Sequence, residues 1–133
     1  MHRASPTMLA LAVLLSASCG SDDPAGPTSA DRTKFVGTWG GSYACPGGSP
    51  TADTLVIAVA GGALDFSIII HAEAGNPDTV SGTLTQPNTI TVPQQSMGGA
   101  PGTAQITSQG ALLTYNQSGF GITCGGTDYA KVP

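Results

Sequence analysis

The chain has 133 residues, with Lys+Arg 4 against Asp+Glu 8 and a formal net charge of −4. Charged residues make up 9% of it, against about 25% in an ordinary globular domain. No basic patch stands out, so nothing points to a nucleic acid or an anionic membrane surface as a charge-steered partner. Thr, Ser, Asn, Gln and Gly replace the missing charges, a composition that suits the outer face of a β-sheet and not a helix.

Arg3 opens the chain with a positive charge, and no acidic residue precedes Asp22. Residues 8–15 (MLALAVLL) form an unbroken apolar run, and the small residues Ser16, Ala17 and Ser18 follow. Basic start, apolar middle and small-residue end are the layout of a secretory signal peptide over residues 1–18. The run is too short to span a bilayer, which needs about 20 such residues. The segment Leu15-Ser16-Ala17-Ser18-Cys19 resembles the lipobox of bacterial lipoproteins, although the commonest form carries leucine where Ser16 stands. The alternative is an ordinary signal peptide with a chance cysteine. The resemblance implies that Cys19 becomes the mature N-terminus, with a diacylglyceryl thioether and usually an N-acyl chain, and two or more chains anchor stably. The expected location is thus the bacterial cell envelope, and Gly20 after the cysteine favours the outer membrane, since an aspartate there would resemble a retention signal. Asp22-Asp23 resembles the acidic stretches of surface-exported lipoproteins, and it reads equally as a solvated linker start.

Cleavage before Cys19 leaves 115 residues, and loss of Arg3 takes the charge to −5. Residues 19–34 are expected to be a lipidated tether: small, polar and proline-containing, unable to offset their own ordering entropy. Residues 20–34, fully extended, would reach about 50 Å. Residues 35–133 are then one domain with one core. With Cys19 acylated, Cys45 and Cys124 remain as an even pair in an oxidising compartment, and a disulfide is expected. No zinc-type Cys/His spacing occurs.

The body reads as short strands separated by turn residues. The first strand covers residues 35–45, with Phe35, Trp39 and Tyr43 on one face. After a turn over residues 46–50 come a second strand (54–60, TLVIAVA), a Gly61-Gly62 hairpin and a third (63–72) with Leu64, Phe66, Ile68 and Ile70 on one face. The remaining strands are residues 78–85, 89–92, 103–108, 111–117 and 120–132, and no helical periodicity follows Cys19. Eight short strands argue for an all-β domain, a small antiparallel up-and-down barrel with a β-sandwich as the alternative. A Cys45–Cys124 bridge would join first and last strands, as an eight-stranded barrel requires. Its simplest antiparallel register places Trp39 opposite Ala130 and Thr38 opposite Lys131.

Gly37-Thr38-Trp39 resembles the G-x-W motif of the lipocalins and wider calycin group. That resemblance implies that Trp39 closes one barrel end beside a basic residue of the last strand, here Lys131, where arginine is usual. The paired cysteines and Tyr129-Ala130-Lys131 are also similar to small bacterial lipoproteins of uncharacterised role. The domain departs from lipocalins in its shortness and in having no helix after the last strand. G-T-W occurs in biotin-binding avidin-like barrels too, but a single Trp does not supply their aromatic box.

His71 and Glu73 could share a strand face, yet two ligands do not make a metal site, and a surface His-Glu pair is the plainer reading. Asp65 is read as solvent-facing. No nucleophile elbow or phosphate-binding turn occurs, so no catalytic residue, cofactor or metal is expected. Leu55, Ile57, Val59, Phe66, Ile68 and Ile70 line the inner face and are either a packed core or the wall of a site for a small apolar ligand. Three functions follow: a lipid-anchored ligand-binding barrel, a structural or protein-interaction module of the envelope with a filled barrel, and a hydrolase or inhibitor.

Overall fold

The computed structural model describes residues 25–72, 75, 77–95, 100–107 and 112–133. The expected signal peptide, Cys19 and Glu73 lie outside the described residues. Eight strands, β1 (Gly37–Tyr43), β2 (Thr51–Val59), β3 (Asp65–Ile70), β4 (Asp78–Gln86), β5 (Thr89–Val92), β6 (Gly102–Ile106), β7 (Leu112–Gly119) and β8 (Ile122–Lys131), follow one four-residue helix, α1 (Ser29–Arg32). Each strand pairs antiparallel with the next, and β8 returns to β1, giving a closed up-and-down barrel and not a sandwich.

Period-two alternation sets the faces. In β3, Phe66, Ile68 and Ile70 are buried between half-buried neighbours. In β4, Val80, Gly82 and Leu84 face inward while the threonines and Ser81 face out. Apolar inside and Thr/Ser outside is the reverse of a transmembrane barrel, whose outer band is apolar. No helix among the described residues is long and apolar enough to cross a membrane.

One barrel end carries α1 and the connections after β2, β4 and β6; the other carries the connections after β1, β3, β5 and β7. At the α1 end, residues 28–34 are ordered against the barrel, although their polar composition reads as a tether. Thr28 and Asp31 form a reciprocal capping box, which satisfies first-turn amides that would otherwise be orphaned. Arg32 donates from its guanidinium to the carbonyls of Ala63 (2.8 Å) and Ala60 (2.9 Å) and stacks over the Phe66 ring at 5.8 Å. The folded body therefore starts before Phe35.

Three local details differ from the sequence reading. β2 begins at Thr51, because Thr51, Ala52 and Asp53 pair with Tyr43, Ser42 and Gly41. The β2–β3 connection is not a two-residue turn: Ala60 N donates to Asp65 O, and Gly61 to Leu64 lie beyond that bond. Two-residue connections occur instead at Pro87-Asn88, between the paired Gln86 and Thr89, and at Phe120-Gly121, both at positive φ (52° and 77°) between the paired Gly119 and Ile122, as a type I′ turn requires.

The β1–β8 register is the main correction. Trp39 faces Lys131 and Gly40 faces Ala130, while Ala44 pairs with Gly125. Four residue steps along β1 thus oppose five along β8. On its other side, two steps from Leu113 to Tyr115 oppose three from Tyr129 to Gly126. One extra residue in β8, within Thr127–Asp128, is bulged against both neighbours. The bulge resets the alternation, so that both Gly126 and Tyr129 face the interior.

The interior is filled by side chains. Phe35, Trp39, Phe66, Tyr115 and Tyr129 are each 0% exposed, and they pack with aliphatic residues that include Leu55, Ile57, Ile68, Leu84, Ile90 and Leu113. Wall glycines make room for the large rings. A Cβ on Gly41 would lie 2.8 Å from the Tyr129 ring, and one on Gly126 would lie 2.7 Å from it, both far inside contact distance.

Candidate functional site

At the α1 end, the three residues of the G-x-W reading meet. Trp39 is buried, and its indole N–H donates to Phe35 O at 2.8 Å. The Lys131 Nζ stands 5.3 Å from the Trp39 ring centre, within cation–π range. Gly37 has φ 139°, and a Cβ there would lie 2.8 Å from Lys131 Cε. Only glycine combines that backbone with that approach.

At the opposite end, Cys45 and Cys124 are bonded across the β1–β8 seam, 79 residues apart in sequence with Cα atoms 4.2 Å apart. Between the Gly40–Ala130 pair and the Ala44–Gly125 bridge the two strands do not pair regularly. The disulfide therefore holds the seam where the ladder is weakest.

Of the residues proposed to line a cavity, Leu55, Phe66 and Ile68 are 0%, Ile57 is 1% and Ile70 is 2% exposed. Side chains with so little exposed surface are packed against other atoms of the protein on nearly every side. Val59 departs from the group: it is 56% exposed, because it pairs with Phe66 of β3 while the β1–β2 ladder has ended at Gly37–Ile57. Leu64 packs half-buried against the core. Asp65 is half-buried and accepts from the Thr83 hydroxyl at 2.8 Å.

The most unusual chemistry lies inside the disulfide end. Asp53 faces inward from β2, opposite Gly41, and its side chain is 2% exposed. Its Oδ1 lies 2.8 Å from His71 Nδ1, and its Oδ2 accepts from the Tyr129 hydroxyl at 2.5 Å. A buried carboxylate needs such partners to offset its lost hydration. His71 directly follows β3 at φ 56°, a left-handed conformation uncommon outside glycine. The edge of its ring meets Tyr43 at 4.8 Å between centres. The His71 side chain is 32% exposed, so with Nδ1 committed to Asp53 its other ring nitrogen is the one left to face solvent.

Three tyrosines surround this carboxylate. Burial, and then the hydrogen bond to Asp53, hold the Tyr129 hydroxyl well above its ordinary titration range. Burial, followed by the fields of Tyr43, Asp53 and Asp78, raises Tyr115 strongly. Burial and Asp53 raise Tyr43 as well. The Tyr115 hydroxyl is buried without a hydrogen-bond partner among the described residues.

Asp53, Tyr43, Tyr115 and Tyr129 were not singled out as one site by sequence reading. The available signal was the alternation Asp53-Leu55-Ile57, which continues the inward face of β2 by one position and turns a charge into the lumen. The sequence pairs His71 with Glu73, which lies outside the described residues; among those described, His71 bonds Asp53. No group of three or more His, Cys, Asp or Glu side chains among the described residues is placed to hold a metal ion.

No family model, no curated protein and no solved structure matches this chain. The fold and the site accordingly define it at the level of class: a small, closed, disulfide-stapled antiparallel β-barrel with a buried Asp–His–Tyr cluster.

Proposed function

We propose that the chain is an exported, lipid-anchored protein of the bacterial outer membrane. On this reading its lipocalin-like barrel works as a structural or protein-interaction module and not as a carrier with an open lumen. The observation that carries this reading is the near-zero exposure of Leu55, Ile57, Phe66, Ile68 and Ile70. An eight-stranded barrel either fills with side chains or holds one small ligand, and a ligand here would have to displace the protein's own core. The packing of Trp39 against Lys131 supports the lipocalin-like reading. The Cys45–Cys124 bond supports export to an oxidising compartment.

The Asp53–His71 pair is read as architectural, because both Asp53 oxygens are occupied and each bond ties β2 to another strand or strand end. The experiment that tests the proposal is in-cell crosslinking from outward positions such as Thr91, Thr114 and Thr123, together with labelled-lipid analysis of Cys19. Lipid on Cys19 and one discrete crosslinked envelope partner are expected. Unmodified Cys19, or a domain that crosslinks to no envelope component, contradicts it.

A further inference from the structure

The rim of the barrel at the α1 end gathers features that are scattered in the sequence. Arg32, Lys34 and Lys131 are all the Lys and Arg among the described residues, and all three lie there. Lys131 Nζ donates to Lys34 O at 3.4 Å, across 97 residues of sequence. Lys34 Nζ also reaches Asn88 of the β4–β5 turn. Sequence reading found no basic patch because folding, not spacing, assembles this one. Three exposed valines share the same rim: Val36, Val59 and Val132, at 36, 56 and 48% exposure. Asp31 pairs with Lys34 at 2.6 Å and Asp65 accepts from the Thr83 hydroxyl at 2.8 Å, so three cations face two carboxylates and the rim keeps a small positive excess.

We infer that this rim of valines and cations is the face that the barrel turns toward a phospholipid head-group layer. The inference rests on the reading of Cys19 as the lipid anchor, and adds to it an orientation. Lysines beside a fringe of valines suit a head-group layer, where the apolar groups meet acyl chains and the ammonium groups meet phosphates.

Chain length supports the same face. Ala25, Gly26 and Pro27 line one groove with Thr85, Gln86 and Pro87, so the chain already lies against the α1 end from Ala25 onward. Six residue steps separate Cys19 from Ala25, a reach of at most about 20 Å. β8 alone, at ten residues tilted as barrel strands are, covers about 25 Å of barrel height. A barrel standing on its disulfide end, with the exposed Phe120 and Ile122 against the bilayer, would therefore hold its anchor beyond reach of the lipid, and the α1 rim is the end that the anchor draws to the surface. The Asp53–His71–Tyr129 cluster then lies on the side away from the lipid.

The test uses the full acylated protein in vesicles of phosphatidylethanolamine and phosphatidylglycerol. A nitroxide is placed at Val59→Cys in one sample and Phe120→Cys in another; both positions are exposed, so neither change burdens the core. Collision with membrane-dissolved oxygen and with an aqueous nickel chelate is then compared. The position-59 label is expected to favour oxygen several-fold over the position-120 label, and Lys34→Gln or a rise to 1 M salt is expected to narrow the difference. Protein that floats with the vesicles while both labels meet the aqueous reagent equally, or while position 120 is the protected one, overturns the orientation alone. Protein that stays in solution with Cys19 unmodified overturns the anchor reading and this inference with it.

Discussion

The Tyr129 hydroxyl, from the strand that closes the barrel, donates to the buried Asp53 carboxylate of β2 at 2.5 Å. The ring reaches that acceptor because β1, which lies between the two strands, presents Gly41 there: a side chain at that position would strike the ring. One bond thereby joins β8 to β2 across β1, at the level where regular β1–β8 pairing lapses. Tyr129→Phe keeps the ring and removes the donor, leaving a buried carboxylate oxygen unpaired. Urea unfolding is expected to show a loss of about 2–3 kcal/mol, the upper part of the usual range because the acceptor is a carboxylate. The double variant Asp53→Leu, Tyr129→Phe is expected to recover part of that loss, since it removes both partners.

Gly41 offers a complementary test through sterics alone. Gly41→Val drives a side chain into the Tyr129 ring and is expected to cost about 1–3 kcal/mol, or more, by overpacking. Gly61, which has open space where its Cβ would be, is expected to accept alanine with almost no change. Equal effects at the two positions in thermal unfolding would contradict the described packing.

Much of the barrel was legible in the sequence, and the reasons for the gaps are local. The strands β3, β4 and β5 were readable because Phe66-Ile68-Ile70, Val80-Leu84 and Ile90-Val92 alternate with polar residues, the signature of a one-sided sheet. The cysteine pair was readable from parity. The β1–β8 register was not, because a bulge adds a residue without any compositional mark: Thr127 and Asp128 read as ordinary strand positions. Asp53 was missed for a related reason, as β2 was started at the first run of apolar residues and its charged inward position fell just outside. α1 escaped because four residues are too few for periodicity, and a capping box and one arginine, not propensity, hold it in place.

Removing the staple tests how much the weak seam depends on it. Its loop of 79 residues corresponds to about 4 kcal/mol in the chain-entropy account. The Cys45→Ser, Cys124→Ser variant is expected to lose most of that in urea unfolding, and reduction of the native protein is expected to do the same. A midpoint that does not move on reduction would mean that the seam is held without the bond.

Alkaline stability follows from the buried tyrosines. Tyr115 and Tyr129 have folded-state pKa values raised above their ordinary 10.0, so the folded chain keeps protons that the unfolded chain releases. The sign is therefore a stability fully present below pH 10 and falling as pH rises further. Two such groups give a loss of about 2.7 kcal/mol per pH unit. Tyrosinate absorbance is expected to appear together with loss of the far-ultraviolet circular dichroism signal, above pH 10. Tyrosinate formation from Tyr115 or Tyr129 well before unfolding would contradict their burial.

The filled lumen is the central claim, and titration of the full-length protein with a fluorescent apolar probe tests it most directly. The account predicts no saturable binding, and no change in any signal when Leu55→Met or Ile68→Leu alters the interior at nearly constant volume. Saturable one-to-one binding that weakens on either substitution would place a ligand where the core now stands, and would contradict the account.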